Sequence, residues 1–175
     1  GTLGGNLVNA SRVADGAVAL LVLEAKLKLV TTTAERIVSV DSFFVDDRKS
    51  IKKPTEFLTE IIIPLQSQPP KWGWYKIGQR KADFISIVSA AVALQMDNQT
   101  CTKARMAMGA VAPTPLFLKN ASQQLKGQNL DSPLIEEIVK TAVNETKPFD
   151  DRRATAWYRK KASGAILKRL LTQIS

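Results

Sequence analysis

Gln66 to Lys71 reads Gln-Ser-Gln-Pro-Pro-Lys, and adjacent prolines set among uncharged polar residues can continue neither a strand nor a helix. The run divides the chain. Residues 1–66 and 72–175 are expected as separate parts joined by a linker over 67–71. With 175 residues there is enough chain for one ordinary domain or two small ones, so apolar surface can be buried without staples.

Ahead of the linker, residues 1–15 are rich in Gly, Asn, Ser and Ala and lack a usable hydrophobic period, which predicts a structured loop, then a short helix through Leu23. Lys26 to Val30 alternates Lys-Leu-Lys-Leu, a half-buried strand. Arg36 to Val40 continues in that style, Asp41-Ser42 starts a helical turn carrying Phe43 and Phe44, and Leu58 to Ile63 is a strand stopped by Pro64. Beyond the linker, Trp72 to Gly78, Ile85 to Met96 and Lys103 to Val111 read as three strands, with Asp97-Asn98 turning the last hairpin. Ala104, Met106 and Met108 alternate with Arg105, Ala107 and Gly109, the pattern of a sheet covered on one face. Trp72 and Trp74 share a strand face and suit a hydrophobic platform against a helix.

Three helices supply the cover. Lys119 to Lys126 ends at Gly127, and Ser132-Pro133 provides an N-cap and a first-turn proline, with Glu136 and Glu137 in the first turns. Leu134, Ile135, Ile138, Val139, Ala142 and Val143 form one stripe. A last helix from about Ala154 carries Tyr158, Ala162, Ile166, Leu170 and Ile174 at i, i+4 spacing. The fold class is α+β: part of an α/β subdomain, then a C-terminal domain whose three-stranded antiparallel sheet is covered by helices and has its own core.

One cysteine, Cys101, and no histidine exclude thiolate zinc sites, iron–sulfur ligation and Ser-His-Asp or Cys-His catalysis. Chemistry here must come from a bound group. Asp46-Asp47 and Asp150-Asp151 lack further ligands and read as solvated turns rather than metal sites. Apolar runs such as Val18 to Leu23 stay well below the ~18 residues that cross a bilayer, so no membrane span is expected. Gly1 opens without a charged-then-apolar leader, and the expectation is a cytoplasmic fragment or processed product. The Asn-x-Ser/Thr triplets at Asn9, Asn98, Asn120 and Asn144 are discounted with it.

Net charge is +9, and Lys147 to Arg169 holds eight basic residues against Asp150 and Asp151, a net of +6. The run is either a solvated helix face or a docking face for an acidic partner or nucleic acid.

Thr2-Leu3-Gly4-Gly5-Asn6 is the most informative stretch. Adjacent glycines let backbone N–H groups turn toward one point, an anion-binding nest, and Thr2 and Asn6 add side-chain donors; a plain turn remains the alternative. Together with Asn9-Ala10-Ser11 and Asp15, this stretch resembles the second flavin-binding loop of the molybdenum hydroxylases, the family of xanthine dehydrogenase and carbon monoxide dehydrogenase. The resemblance continues in order through Phe43-Phe44, Leu58-Thr59-Glu60-Ile61, Tyr75-Lys76-Ile77-Gly78-Gln79-Arg80 with Asp83, and Val88 to Leu94. Ala104-Arg105, Gly109 to Pro115 and Arg153 to Arg159 complete it.

The resemblance implies an FAD cofactor contacted by Thr2, Gly4, Gly5 and Asn6, with Asp15 near the ring or ribityl chain, Leu58 packed on the ring and Lys76 near its polar edge. Leu58 as plain core and Lys76 as an exposed strand lysine are the alternatives. Arg80 and Asp83 are expected as a structural ion pair. The implied partners are a molybdenum-cofactor subunit, an iron–sulfur subunit and the family's N-terminal FAD subdomain, which is missing here. Electrons would pass from iron–sulfur clusters to NAD, a quinone or oxygen. Arg12 stands where many relatives carry proline. The rival function is a basic interaction module that binds an acidic partner or nucleic acid without a cofactor, although no nucleic-acid motif supports it.

Overall fold

Alternation decides the first sheet. In the computed structural model, which describes residues 1–66, 68–80 and 84–174, β1 (Lys26–Val30) lies between β2 (Glu35–Ser39) and β5 (Phe57–Ile62), all antiparallel. Leu27 and Leu29 are buried, each worth about 1.5–3 kcal/mol of transfer free energy. Lys28 points the other way and bridges Glu35 at 3.0 Å and Glu60 at 3.2 Å on the two neighbouring strands. The turn after β2 is a 3-10 turn, Val40–Ser42, which leads into a small hairpin of β3 (Phe44–Asp46) and β4 (Lys49–Ser50).

The second sheet runs β6 (Lys71–Ile77), β7 (Val88–Asp97), β8 (Thr100–Gly109) and β9 (Leu116–Phe117), so a two-residue strand extends the expected three. Asp97 pairs with Thr100, so Asn98-Gln99 makes the turn, and Asn98 takes φ 52 as a two-residue hairpin asks. β7 opens at Val88 rather than Ile85 because the residues just before it are committed elsewhere, as described below.

Helices α3 (Lys119–Leu125), α4 (Ser132–Glu145) and α5 (Ala156–Ile174) cover the face that carries Val88, Ala90, Val92, Leu94, Met106 and Met108. The opposite face is covered too, contrary to the one-sided pattern expected. Ala91, Ala93 and Ala107 pack against α2 (Asp15–Val22) in a core shared with β1 and Phe43. Small residues make the approach possible: a Cβ on Gly109 would stand 2.8 Å from Val18 Cγ2. The C-terminal part therefore does not own its whole core.

Several boundaries shift for local reasons. α4 is capped by Asp131, whose carboxylate accepts from the Leu134 N–H at 2.8 Å, so Ser132 is already helical and Glu136 and Glu137 fall beyond the first turn. Gly127, φ +80, follows α3 as expected. On α5, Ala162, Ile166 and Leu170 are buried, yet Tyr158 is 41% exposed while its neighbour Arg159 is 0% exposed. Among the described residues no helix is long and apolar enough to cross a membrane.

Candidate functional site

The Thr2 to Asn6 stretch is not a nest. Leu3–Val8 forms a short helix, α1, and Thr2 is its N-cap in extended conformation, its Oγ1 accepting from the Gly5 N–H at 3.0 Å. Neither Gly4 nor Gly5 has a positive φ; among the described residues the glycine that does is Gly127. What the glycines supply is space. A Cβ on Gly4 would meet Leu58 Cδ2 at 3.7 Å, and one on Gly5 would press Thr2 Oγ1 at 3.0 Å. Thr2, Gly5 and Asn6 are exposed, and the Asn6 amide makes no hydrogen bond among the described residues.

Two expected site residues 61 positions apart meet directly. Lys76 Nζ donates to Asp15 Oδ2 at 2.8 Å and to the Phe84 carbonyl at 3.2 Å, and lies 4.2 Å from the Phe84 ring centroid. Ser86, fully buried, donates from Oγ to the other oxygen, Asp15 Oδ1. These contacts occupy the residues that sequence periodicity assigned to the start of β7. Lys76 is thus neither a free lysine nor a lone cation.

Gly16 joins this pair to α1. A Cβ there would stand 2.7 Å from Leu3 Cδ1 and 3.1 Å from Asn6 Oδ1, so its absence seats the cap helix over the start of α2. A cleft of about 460 Å³ opens where Asn6, Arg12, Asp15, Arg48, Phe84 and Arg153 converge. Leu58 is half-buried, in contact with the N-terminal core and beside Gly4. All seven expected residues therefore belong to one neighbourhood. Ser86, Phe84 and Gly16 were not foreseen; the only local trace of Ser86 is a hydroxyl entering an apolar run. The expected Arg80–Asp83 pair lies outside the described residues because of Asp83.

Behind the cleft, Arg159 is held on every side. Its Nη1 donates to the carbonyls of Ile87 and Ala110, Nε to Phe149 O at 3.0 Å and Nη2 to Asp151 Oδ1 at 2.7 Å, with the guanidinium 4.3 Å from the Phe149 ring centroid. Burial lowers the Arg159 pKa against the opposing pull of Asp151. For Asp151, burial acts upward but is outweighed by the N–H groups of Arg153 and Ala154 and the charges of Arg159 and Arg153, and its pKa falls. The basic run is therefore not one solvated face: Arg159 is interior, Arg153 pairs with Asp151, and Lys168 pairs with Glu136. Asp150 and Asp151 are structural, as are Asp46, paired with Lys49, and Asp47, paired with Arg12. Trp72 and Trp74 are exposed rather than stacked under a helix, because α5 packs on Gly73 between them through Leu170.

The donor and acceptor set fits an FAD. Thr2 keeps its hydroxyl proton, Asn6 offers an unused amide, Asp15 retains lone pairs, and Lys76 retains one N–H of three. Comparison with known proteins finds that the chain matches two families of flavoprotein domain. It belongs to the family of CO dehydrogenase flavoprotein C-terminal domains, whose sequence model matches residues 73–174. A second model, the FAD binding domain in molybdopterin dehydrogenase, matches residues 1–66. The carbon monoxide dehydrogenase medium chain of Afipia carboxidovorans is 31% identical over 97% of this chain and 58% of its own length. The nicotinate dehydrogenase FAD-subunit of Eubacterium barkeri is 28% identical over 99% of this chain and 60% of its own. A crystal structure of Cu,Mo-CO dehydrogenase superposes with TM-score 0.93 at 31% identity, covering 99% of this chain and 60% of that one. The chain thus spans about three fifths of the length of these relatives.

Proposed function

We propose that the cleft over Asp15 and Lys76 takes one side of an FAD, and that the chain works within the electron-transfer component of a molybdenum hydroxylase-type oxidoreductase. The observation that carries this reading is the Lys76–Asp15 pair at 2.8 Å, built from both halves of the chain at the edge of a cleft that Asn6 also lines. Bound FAD would supply the relay of electrons from iron–sulfur clusters on a partner to NAD, a quinone or oxygen. The protein's part is binding and electrostatics. Thr2 and Asn6 offer donors to phosphate or ribityl oxygens, Asp15 accepts from hydroxyl or imide groups, and Lys76 favours negative charge on the ligand. Leu58 and the glycines of α1 keep that wall apolar and low.

The proposed partners are a subunit with the molybdenum cofactor, a subunit with the iron–sulfur clusters, and an FAD subdomain that grips the cofactor from the opposite side. Phe57, 73% exposed, and Leu65, 100% exposed, give such a neighbour apolar surface to cover. The test is the absorption spectrum of the full-length protein after FAD is added and the excess removed. One FAD per chain is expected; a colourless protein refutes the reading. Sub-micromolar binding to duplex DNA at physiological salt, with a steep salt slope, would instead favour the basic interaction module.

A further inference from the structure

Ser86 carries a buried hydroxyl immediately before a residue fixed at both of its backbone groups. The next residue, Ile87, donates its N–H to Ile77 O at 2.8 Å, and its carbonyl is held by the buried guanidinium of Arg159. The serine backbone therefore has little freedom, and its Oγ is aimed at Asp15, 71 positions earlier in the chain. Asp15 sits at the first residue of α2, where rotation about its terminal torsion is broad and roughly two-fold when nothing restrains it. Two contacts restrain it here: Oδ1 accepts from Ser86, and Oδ2 accepts from Lys76 at 2.8 Å. A carboxylate pinned at both oxygens presents its remaining lone pairs in fixed directions, and its lysine partner is fixed with it.

We propose that Ser86 is a positioning residue of this site, acting on a flavin only through Asp15. The inference rests on the reading that the cleft takes FAD. Without the serine hydroxyl, Asp15 would swing on Lys76 alone, and the bound cofactor would have to pay for ordering both side chains. Phe84 supports the same geometry from the other side of Lys76, through its carbonyl at 3.2 Å and its ring. A hydroxyl that merely satisfied its own burial would give Ser86→Ala the same effect on FAD binding whatever residue stands at position 15.

The experiment is a double-mutant cycle on the full-length protein: wild type, Ser86→Ala, Asp15→Ala, and both together, with FAD dissociation constants from fluorescence titration and circular dichroism on each sample. Ser86→Ala is expected to weaken FAD binding about five- to tenfold, the factor one ordinary net hydrogen bond carries when its effect on the ligand is indirect. In the Asp15→Ala background, which leaves the serine no acceptor at residue 15, the same change should move the constant less than about twofold, because the two residues act as one unit. An equal effect in both backgrounds, or none in either, overturns the inference while the flavin site stands. A wild-type protein that takes no FAD overturns the flavin reading and this inference with it. Should Ser86→Ala fail to fold, the near-isosteric Ser86→Cys, a weak donor, goes through the same cycle with the same expected non-additivity.

Discussion

Replacing Arg159 with Met tests the account of the C-terminal core most directly. The guanidinium is fully buried, and its removal takes the donor from the Ile87, Ala110 and Phe149 carbonyls and one charge from beside Asp151. Each buried acceptor left unmade costs about 1 kcal/mol or more, and breaking a buried ion pair from one side costs about 3–5 kcal/mol in full. The carboxylate here is not stranded. Asp151 is 20% exposed and keeps Arg153 Nη1 at 2.7 Å and two backbone N–H donors, so its share is at the low end. At least about 3 kcal/mol is expected in all, and with a urea slope near 2 kcal/mol per molar the midpoint should fall by about 1.5 M or more. Arg159→Lys keeps a charge but lacks the five-donor fork, so about half the loss should remain. Urea unfolding followed by circular dichroism measures each, with exposed Arg152→Met as the control expected within about 0.5 kcal/mol of wild type. A loss below about 1 kcal/mol for Arg159→Met would refute the reasoning, since the burial and the four contacts could not then be holding the fold.

Further expectations follow from other contacts. Glu56 accepts from Arg36 Nε and from the Lys53 N–H, both at 2.7 Å, which lowers its pKa to about 2. Its folded value lies below its unfolded one, so the unfolded chain binds the proton first on acidification; the stabilisation is full above about pH 4.5 and is lost as pH falls toward 2. Urea midpoints between pH 2 and 5 should therefore slope less steeply in Glu56→Gln than in wild type, and parallel curves would count against the pair. Gly78→Ala places a Cβ 1.8 Å from Phe84 Cδ2, so the ring must leave Lys76; a lowered melting temperature together with poorer FAD retention is expected, and neither would appear if Phe84 were unconnected to the site. Residues 72–175 expressed alone expose the Ala91, Ala93 and Ala107 face and should bind a hydrophobic dye and melt below the whole chain, whereas equal melting would show that α2 is dispensable.

Where local pattern and tertiary demand agree, the sequence is readable. The Lys-Leu alternation of β1 and the stripe of α4 each satisfy their period and their burial together. α1 was hidden because paired glycines are poor helix formers; the Thr2 cap and the bare Gly16 beneath override that propensity. The α5 stripe misled for a geometric reason. With 3.6 residues per turn, each step of four overshoots by about 40°, so a strict i, i+4 series winds around the helix, and its Tyr158 end leaves the face that Ile166 and Leu170 bury. Arg159 occupies the inward position instead, although it belongs to a basic run whose pattern is that of surface charge. Of the site, the α1 residues, Asp15, Leu58 and Lys76 were named through family resemblance, whereas Ser86 needed the fold, because nothing near residue 86 announces that it will meet residue 15.

The alanine face of the second sheet sets how the parts can move. α2 lies on Ala91, Ala93 and Ala107, side chains too short to act as a cushion, and Asp15 is mounted at the near end of that helix while Lys76 rides on β6. A slip of the helix by even one residue, about 1.5 Å along its axis, would drive Val18 into Ser89 and Gly109 and stretch the Asp15–Lys76 contact in the same stroke. The helix and the sheet thus behave as a keyed joint, in which shear is blocked at the glycine and reported at the acid.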